Sequence, residues 1–495
     1  MRQIVAPLGE HRALLLPLAW ALLFTYGYFV DAPAWNQNSR LALTRALVES
    51  RAVAIDAYHP TTGDKSKRGP HFYSDKAPGV SLVATIPYAA LYAVRRATGG
   101  ELPEVRVIPL DPREAEAGHA PQPEDRQPGD RLVYNFAHRL ALYLCGLFAV
   151  AVPSVIGVAA VWLLAYRQSR GEQRAATVAA LCYGLATPIF PYATAFYGHG
   201  LCAAALIAAF AVVVLLGATT NRRPGLWAGA LLGLAVATEY PAAVPTVMVM
   251  VLALWLQSRR FVLDVVLGGL PWVLVLAAYH TVAFGHPLKT GYDFVYLPEF
   301  AEGMAVNYGI GPPQLEVLYA IVFGSYRGLL YLSPVLFVAV WGLAVASRDA
   351  SATLRRAALV AAAICGFYLL LNAGYYMWDG GASFGPRHTI PMLGFLALGL
   401  VPAYRVVPRA LLVLAAVSVA AMLLGAAANP EAPQFGNPLW EFSWGRLLGG
   451  TTGATVGATN LGRLLGLPGA LSLAPLAVLW WWAWPPRTSA TRSDR

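Results

Sequence analysis

The segment Tyr73-Ser74-Asp75-Lys76-Ala77-Pro78-Gly79 sets an acid beside a base where a polar stretch runs into an apolar one. Charge beside hydrocarbon costs roughly 2.5 to 3.5 kcal/mol per residue at a helix centre on insertion scales, so the pair needs a reason. Binding the phosphate of a lipid substrate is one. Further along lie Tyr326-Arg327-Gly328 and the dense run Trp378-Asp379-Gly380-Gly381-Ala382-Ser383-Phe384-Gly385-Pro386-Arg387-His388. Its glycines permit close backbone approach, Trp378 can stack on a sugar face, and Arg387 offers a planar fork for phosphate oxygens. A lone arginine at a membrane edge is accounted for by snorkelling. Three cations from three loops, Lys76, Arg327 and Arg387, point instead to an anion site.

Other polar residues mark the same loops. The turn Phe284-Gly285-His286-Pro287-Leu288-Lys289-Thr290-Gly291-Tyr292 carries a cation, Lys289, and an aromatic, Tyr292. His199 and Glu239 stand at the tips of tight turns, where each taken singly reads as a helix-end polar residue and together they are candidate contacts for substrate hydroxyls. Asp56 is flanked by Ile55 and Tyr58, and partial burial there would raise its pKa; a surface aspartate is the plainer reading. No GxGxxG, Walker, HExxH or supported DxD pattern occurs, so no metal and no cofactor is expected. Cys145, Cys182, Cys202 and Cys365 lie in apolar segments without metal or disulfide spacing.

Apolar helices must position these groups. Of the 495 residues, 57% are hydrophobic and 13% charged, and the mean hydropathy of +0.52 excludes an ordinary soluble domain. The fold class expected is an all-α polytopic membrane protein, its apolar runs long enough to cross roughly 30 Å of hydrocarbon. The net charge of +10 belongs to basic connectors that stay cytoplasmic, not to nucleic-acid binding. Basic clusters at Arg2 and Arg12, Arg167 to Arg174, Arg222-Arg223, Arg259-Arg260, Arg348 to Arg356, Arg405 to Arg409 and Arg487 to Arg495 fix the orientation. Spans are expected at about 13–30, 140–165, 175–192, 200–217, 225–239, 241–257, 262–284, 329–346, 357–373, 390–403, 410–427 and 469–484. That makes twelve, with both termini cytoplasmic. Residues 77–94 are then a juxtamembrane or re-entrant helix, or, if they cross, a thirteenth span. The first span has no small-residue cleavage site and is read as retained.

The chain is expected to form one integral membrane domain, 1–495, with a long first extracytoplasmic loop at 31–138 and a last one at 428–468. The first loop holds Trp35-Asn36-Gln37-Asn38-Ser39-Arg40, then Leu41, Leu43, Ala46, Leu47 and Val48 interleaved with Arg45 and Glu49, a pattern suited to a helix lying on the membrane surface. Nearly every unusual polar residue falls on the outer side, so the chemistry is expected there.

The polar first loop, the surface helix and the acidic-Lys-x-Pro motif at Asp75, Lys76 and Pro78 together resemble the GT-C superfamily of membrane glycosyltransferases. The nearest subset is the glycosyltransferase family 39-like group of protein O-mannosyltransferases and lipid A aminoarabinose transferases. Gly385 to His388 also looks like a motif of bacterial membrane proteins in that group. The resemblance implies a polyprenyl-phosphate sugar donor, with Lys76 at its phosphate, an outer-face active site in the bacterial inner membrane, and an inverting transfer. It also implies an acidic residue shortly before the arginine that opens the surface helix, whereas Arg40 is preceded by Gln37, Asn38 and Ser39. Another carboxylate must then be the base: Asp56 first, then Asp75, then Asp31. The expected donor-phosphate ligands are Lys76, Arg387 and Arg327. The expected substrate contacts are Arg40, Tyr73, His199, Glu239, Lys289, Tyr292, Trp378 and His388. The partners implied are the polyprenyl-phosphate sugar, membrane lipid, and an acceptor glycan, lipid or protein. The alternatives are a transporter or flippase of a lipid-linked sugar, for which Asp264 and His280 within a span would speak, and a non-catalytic polyprenyl-phosphate-binding assembly subunit.

Overall fold

The computed structural model describes residues 2–109, 130–216, 221–449 and 459–483. The basic cluster Arg487 to Arg495 and parts of the two long loops, 110–129 and 450–458, lie outside the described residues.

Backbone polar groups in hydrocarbon need partners within their own segment, which is why apolar runs of this length become helices. Each of the twelve expected spans is built of helix. The elements that matter most for the site are α1 (Arg12–Gly27), α2 (Trp35–Arg45), α3 (Gly79–Thr98), α4 (Phe136–Gln168), α5 (Gln173–Leu185), α6 (Gly198–Leu215), α7 (Arg223–Thr238), α8 (Ala243–Leu256), α9 (Arg259–Phe284), α10 (Ala352–Ala373), α11 (Arg387–Val406) and α12 (Pro408–Ala428). By length and composition, α4, α6, α9, α10, α11 and α12 are each able to cross a membrane. Two expected spans are interrupted at prolines, which supply no backbone donor. The run 175–192 divides into α5 and Ile189–Ala193 around Pro188, and 329–346 divides into Leu329–Leu332 and Val335–Ala346 around Pro334.

Three two-stranded antiparallel sheets trim the loops among the described residues. The one that bears on the site pairs β1 (Lys65–Arg68) with β2 (His71–Ser74) across Gly69-Pro70, in the register Lys65 to Ser74 and Arg68 to His71. Gly69 takes a positive φ of 61° there, which a residue with a Cβ adopts only with strain.

The helix expected on the membrane surface is internal instead: every residue of α2 from Asn36 to Arg45 is buried. Its polar side chains find partners inside the protein, which removes the cost of burying them. Gln37 donates to the Ala32 carbonyl (3.0 Å) and accepts from the Phe196 amide (3.3 Å). Asn38 donates to the Thr61 carbonyl and meets His138 Nε2 at 3.2 Å, and Ser39 bonds Ser74 at 2.8 Å. The amides that stand where the resemblance implies an acid therefore tie α2 to the first loop, α4 and the turn before α6. Helix α3 lies against α2, α4 and α7 and ends at Gly99 in a left-handed cap.

The basic connectors gather at one end of the bundle. Arg405 donates to the Ser169 carbonyl (2.7 Å), Arg356 to the Trp255 carbonyl (2.9 Å), and Arg222 pairs with Asp264 at 2.7 Å. The start of α6, the end of α7, the end of α9 and the start of α11 form the opposite end, because successive helices run antiparallel. Helices α7 and α9 pack with little space between them. A Cβ at Gly229 would overlap the Val265 carbonyl, one at Gly268 would overlap the Leu226 carbonyl, and one at Gly225 would meet Asp264 Cβ at 2.7 Å. This is small-residue packing with the two backbones in contact, and it fixes the end of α7, where Glu239 follows. Gly229→Leu is expected to force the helices apart, lowering the melting temperature of the purified protein in detergent by several degrees, as read by intrinsic fluorescence.

Candidate functional site

A cavity opens where the first loop, the end of α7 and the starts of α6 and α11 converge. It has a charged lobe of about 90 Å³, bordered by Arg40, Asp64, Asp75, Lys76, Glu239 and Arg387. Beside this is an apolar lobe of about 400 Å³, walled by Val244 of α8, Phe367, Tyr368 and Leu371 of α10, and Ile310. His199, Glu239, Tyr292, Met304, Tyr375 and His388 line both lobes. A water-side recess of about 460 Å³ adjoins them at Tyr292, Met304 and Tyr308.

The charged lobe is organised around Lys76. Its Nζ lies 3.0 Å from Asp64 Oδ2 and 3.0 Å from Asp75 Oδ2. The hairpin makes this possible: because Lys65 is opposite Ser74, residues 64 and 75 flank its open end, and Lys76 follows directly. Burial works against the ammonium, but Asp64 and Asp75 outweigh it and raise the Lys76 pKa, so the side chain stays charged. Burial pushes the Asp75 carboxyl up to about 6, with Lys76 pulling it down and Asp64 adding to the rise. One Asp75 oxygen, Oδ1, is buried without a hydrogen-bond partner.

A second group faces the first. Arg40 gives Nε to Asn36 (3.0 Å) and Nη2 to Glu239 (3.3 Å), and His199 Nδ1 lies 3.5 Å from the same Glu239 oxygen. Glu239 caps the end of α7 in extended backbone, so its side chain is delivered into the cavity by the termination of that helix. Arg387 differs from Lys76 and Arg40 in making no ion pair among the described residues. Its guanidinium sits over the Tyr197 ring at 5.5 Å and, among the described residues, its buried Nε has no acceptor. With Lys76, Arg40 and Arg387 set against Asp64, Asp75 and Glu239, the formal charges of the lobe balance. The arrangement is suited to receive an anion on Arg387 and to hand a proton to a carboxylate with a free oxygen.

The structure brings together Lys76, Asp75, Arg40, Arg387, His199, Glu239, Tyr292 and His388 of the residues expected from sequence. It does not bring Asp56, which is exposed and occupied at the hairpin rim, accepting from the Phe72 amide (2.7 Å) and lying 2.7 Å from His71 Nδ1. Nor does Arg327 reach the cavity. It is fully buried, stacked on Tyr326 at 4.0 Å, and donates from Nε and Nη2 to the carbonyls of Asp379, Gly381 and Pro433, which holds two loops together. Tyr73 packs edge-on against Phe284 in a small core, Trp378 lies edge-on to Tyr326, and Lys289 is exposed over Phe294. None of these three lines the cavity. The spans' own ionisable residues have local partners: Asp264 has Arg222, and His280 bonds Tyr240 and the Pro287 carbonyl.

Sequence reasoning missed Asp64, Asn36 and Tyr375. A signal for Asp64 exists, since Gly69-Pro70 between two short polar strands marks a tight hairpin whose register sets residue 64 opposite residue 75. For Asn36 and Tyr375 there is none short of the tertiary contacts. Lys76→Ala would leave two largely buried carboxylates facing each other, a loss on the order of 3 kcal/mol when both are ionised. The melting temperature is therefore expected to fall markedly at pH 8 and much less at pH 5, below the Asp75 pKa, when followed by differential scanning fluorimetry.

No protein-family model matches the chain, and no curated protein matches it in sequence. Among solved structures, it is similar to ArnT from Cupriavidus metallidurans bound to undecaprenyl phosphate, at 16% identity over 80% of this chain and 60% of that one, with a TM-score of 0.48. It is also similar to ArnT from the same organism in the apo state, at 17% identity over 81% and 61%, with a TM-score of 0.44. The chain thus spans about three-fifths of the length of those structures.

Proposed function

We propose that this protein is a membrane glycosyltransferase that moves a sugar from a polyprenyl-phosphate carrier to an acceptor hydroxyl at the outer face of a bacterial inner membrane, as one integral membrane unit with cytoplasmic termini. The observation that carries the reading is the junction of the two lobes: Lys76 and the uncommitted edge of Arg387 border a space continuous with an apolar compartment walled by α8 and α10. A lipid phosphate needs that combination, cations for the head and an apolar channel for the first isoprene units. A water-soluble anion needs only the cations.

In this scheme the donor phosphodiester lies against Lys76 and Arg387. The acceptor oxygen forms a bond to the anomeric carbon from the face opposite the phosphate, its proton passes to Oδ1 of Asp75, and the electron pair of the breaking carbon–oxygen bond stays on the phosphate. Negative charge grows on that leaving oxygen, and the two cations stabilise it most at the transition state. Asp75 replaces Asp56 as the base because its Oδ1 is unpaired and its pKa of about 6 leaves it ionised yet basic near neutral pH. Glu239, steadied by Arg40 and His199, orients the acceptor or sugar hydroxyls. The charge balance of the empty lobe gives the retained proton a further use: the leaving monoester carries more negative charge than the bound diester, and a protonated Asp75 offsets part of it.

The test is release of polyprenyl phosphate by the purified full chain from a panel of polyprenyl-phosphate sugars with candidate acceptors. Lys76→Ala and Arg387→Ala are each expected to lower kcat on the order of 10² or more, Asp75→Asn comparably, while Asp56→Asn retains activity. In the unsubstituted protein kcat/KM should fall as pH drops below about 6, since the base must be deprotonated to act. Binding of polyprenyl phosphate without release from any donor would favour a non-catalytic carrier-binding subunit instead.

A further inference from the structure

The Arg387 guanidinium is buried without an ion pair among the described residues, a costly state unless its charge is met some other way. The face of the Tyr197 ring lies 5.5 Å from its Cζ, and the Tyr197 hydroxyl donates to Glu431 Oε1. The loop that carries Glu431 is tied to the loop that leads into Arg387. The Ser383 amide donates to the Ala432 carbonyl (2.9 Å), and Arg327 reaches both Gly381 and Pro433. Asn429, just before this segment, holds a positive φ of 108°, a strained conformation for a residue other than glycine. Tyr192 completes the support, edge-on to Tyr197 at 5.5 Å and bonded to Ser383 at 2.7 Å.

We propose that Glu431 is a positioning residue for Arg387, adding to the more direct field of Asp64 a counter-charge delivered through the Tyr197 ring, so that the guanidinium edge stays free for the donor phosphate. A carboxylate paired directly with Arg387 would take up donors that the substrate needs, as Asn36 and Glu239 take up Nε and Nη2 of Arg40. Counter-charge delivered through a ring face leaves them open, because a cation is attracted to the face and the attraction grows when the phenol donates to an anion. The inference rests on the reading of the cavity as a phosphate site.

Burial pushes Glu431 up to about 7, against the Tyr197 hydrogen bond and the Arg387 charge, while Asp64 adds to the rise. Asp31, at about 7 through burial, faces it and is held by Thr194 at 3.1 Å. The counter-charge is thus present above neutrality and lost below it.

The experiment titrates geranyl phosphate into the purified full chain in detergent by calorimetry. At pH 8, Glu431→Gln, which preserves shape and an acceptor for Tyr197, is expected to weaken binding about tenfold. Tyr197→Phe should do likewise, the double variant should lose no more than either, and Glu431→Asp should recover part of the loss. The phosphate's own titration is common to all variants, so the ratio of unsubstituted to Glu431→Gln affinity isolates this group, and it should shrink toward one at pH 5.5. Equal or tighter binding by Glu431→Gln at pH 8, or a loss independent of pH, overturns the proposal. Lys76→Ala in the same titration separates the two levels. If it abolishes binding and Glu431→Gln does not weaken it, only this inference falls. If the unsubstituted chain does not bind, both do.

Discussion

The Lys76 ammonium between two carboxylates is the interaction on which the cavity depends. An unpaired ammonium at that depth would deprotonate or draw the loop outward, and two unpaired carboxylates would repel each other. Held at 3.0 Å to Asp64 and Asp75, the three groups fix the open end of a hairpin against the start of α3. The hairpin has few apolar side chains of its own to pack. Its position comes from Tyr73 and Phe72 packed in the small core with Phe284, from this triad, from the Ser39 to Ser74 bond and from the Tyr296 amide donating to the Lys65 carbonyl (3.0 Å).

From that anchor the remaining parts follow in order. Helix α2 is drawn inside because Arg40, Asn38 and Gln37 each have a partner there, and Arg40 in turn holds Glu239 at the end of α7. Small residues at the α7 and α9 contact keep that helix end in place. Arg327, buried and bonded to three carbonyls, joins the loop before α11 to the loop after α12, and those two loops present Arg387 and Glu431. The site is thus a set of loops and helix ends, each held by a polar contact, standing on an apolar bundle that contributes the wall of the second lobe. Rigid helices with polar termini at one end are a common way to build a precise site on a membrane scaffold, since irregular backbone is tolerated there only where protein or a cavity covers it.

The contrast among the three arginines shows how much the local geometry decides. All three are buried or nearly so, Arg40 within α2, Arg327 in a loop and Arg387 at the start of α11. Arg327 gives Nε and Nη2 to backbone carbonyls and acts as a clamp, Arg40 gives Nε to an amide and Nη2 to a carboxylate, and Arg387 makes no ion pair among the described residues and leaves Nε without an acceptor.

Composition and the spacing of apolar runs by themselves determined that the chain is a helical membrane protein, where its apolar helices run and which end of the bundle gathers the basic connectors, because the cost of an unpaired backbone group in hydrocarbon leaves little choice. The Asp75-Lys76 pair and the run ending in Arg387-His388 stood out in the sequence, since charge beside an apolar stretch is costly, and the fold brings them to the border of one cavity. Only the tertiary structure decided which acids join them. Asp56, expected first as the base, is the surface aspartate that was its plainer reading, its carboxylate taken by a backbone amide and His71 at an exposed rim. Asp64 has nothing local to single it out, and the register of a hairpin of two four-residue strands brings it to Lys76. The surface pattern of α2 likewise hid an internal helix, because hydrophobic periodicity records where apolar residues lie and is blind to polar side chains that find partners inside. Pairings between residues separated by most of the chain, such as Arg40 with Glu239 or Tyr197 with Glu431, leave no mark in local sequence, and they are what turns scattered charges into a site.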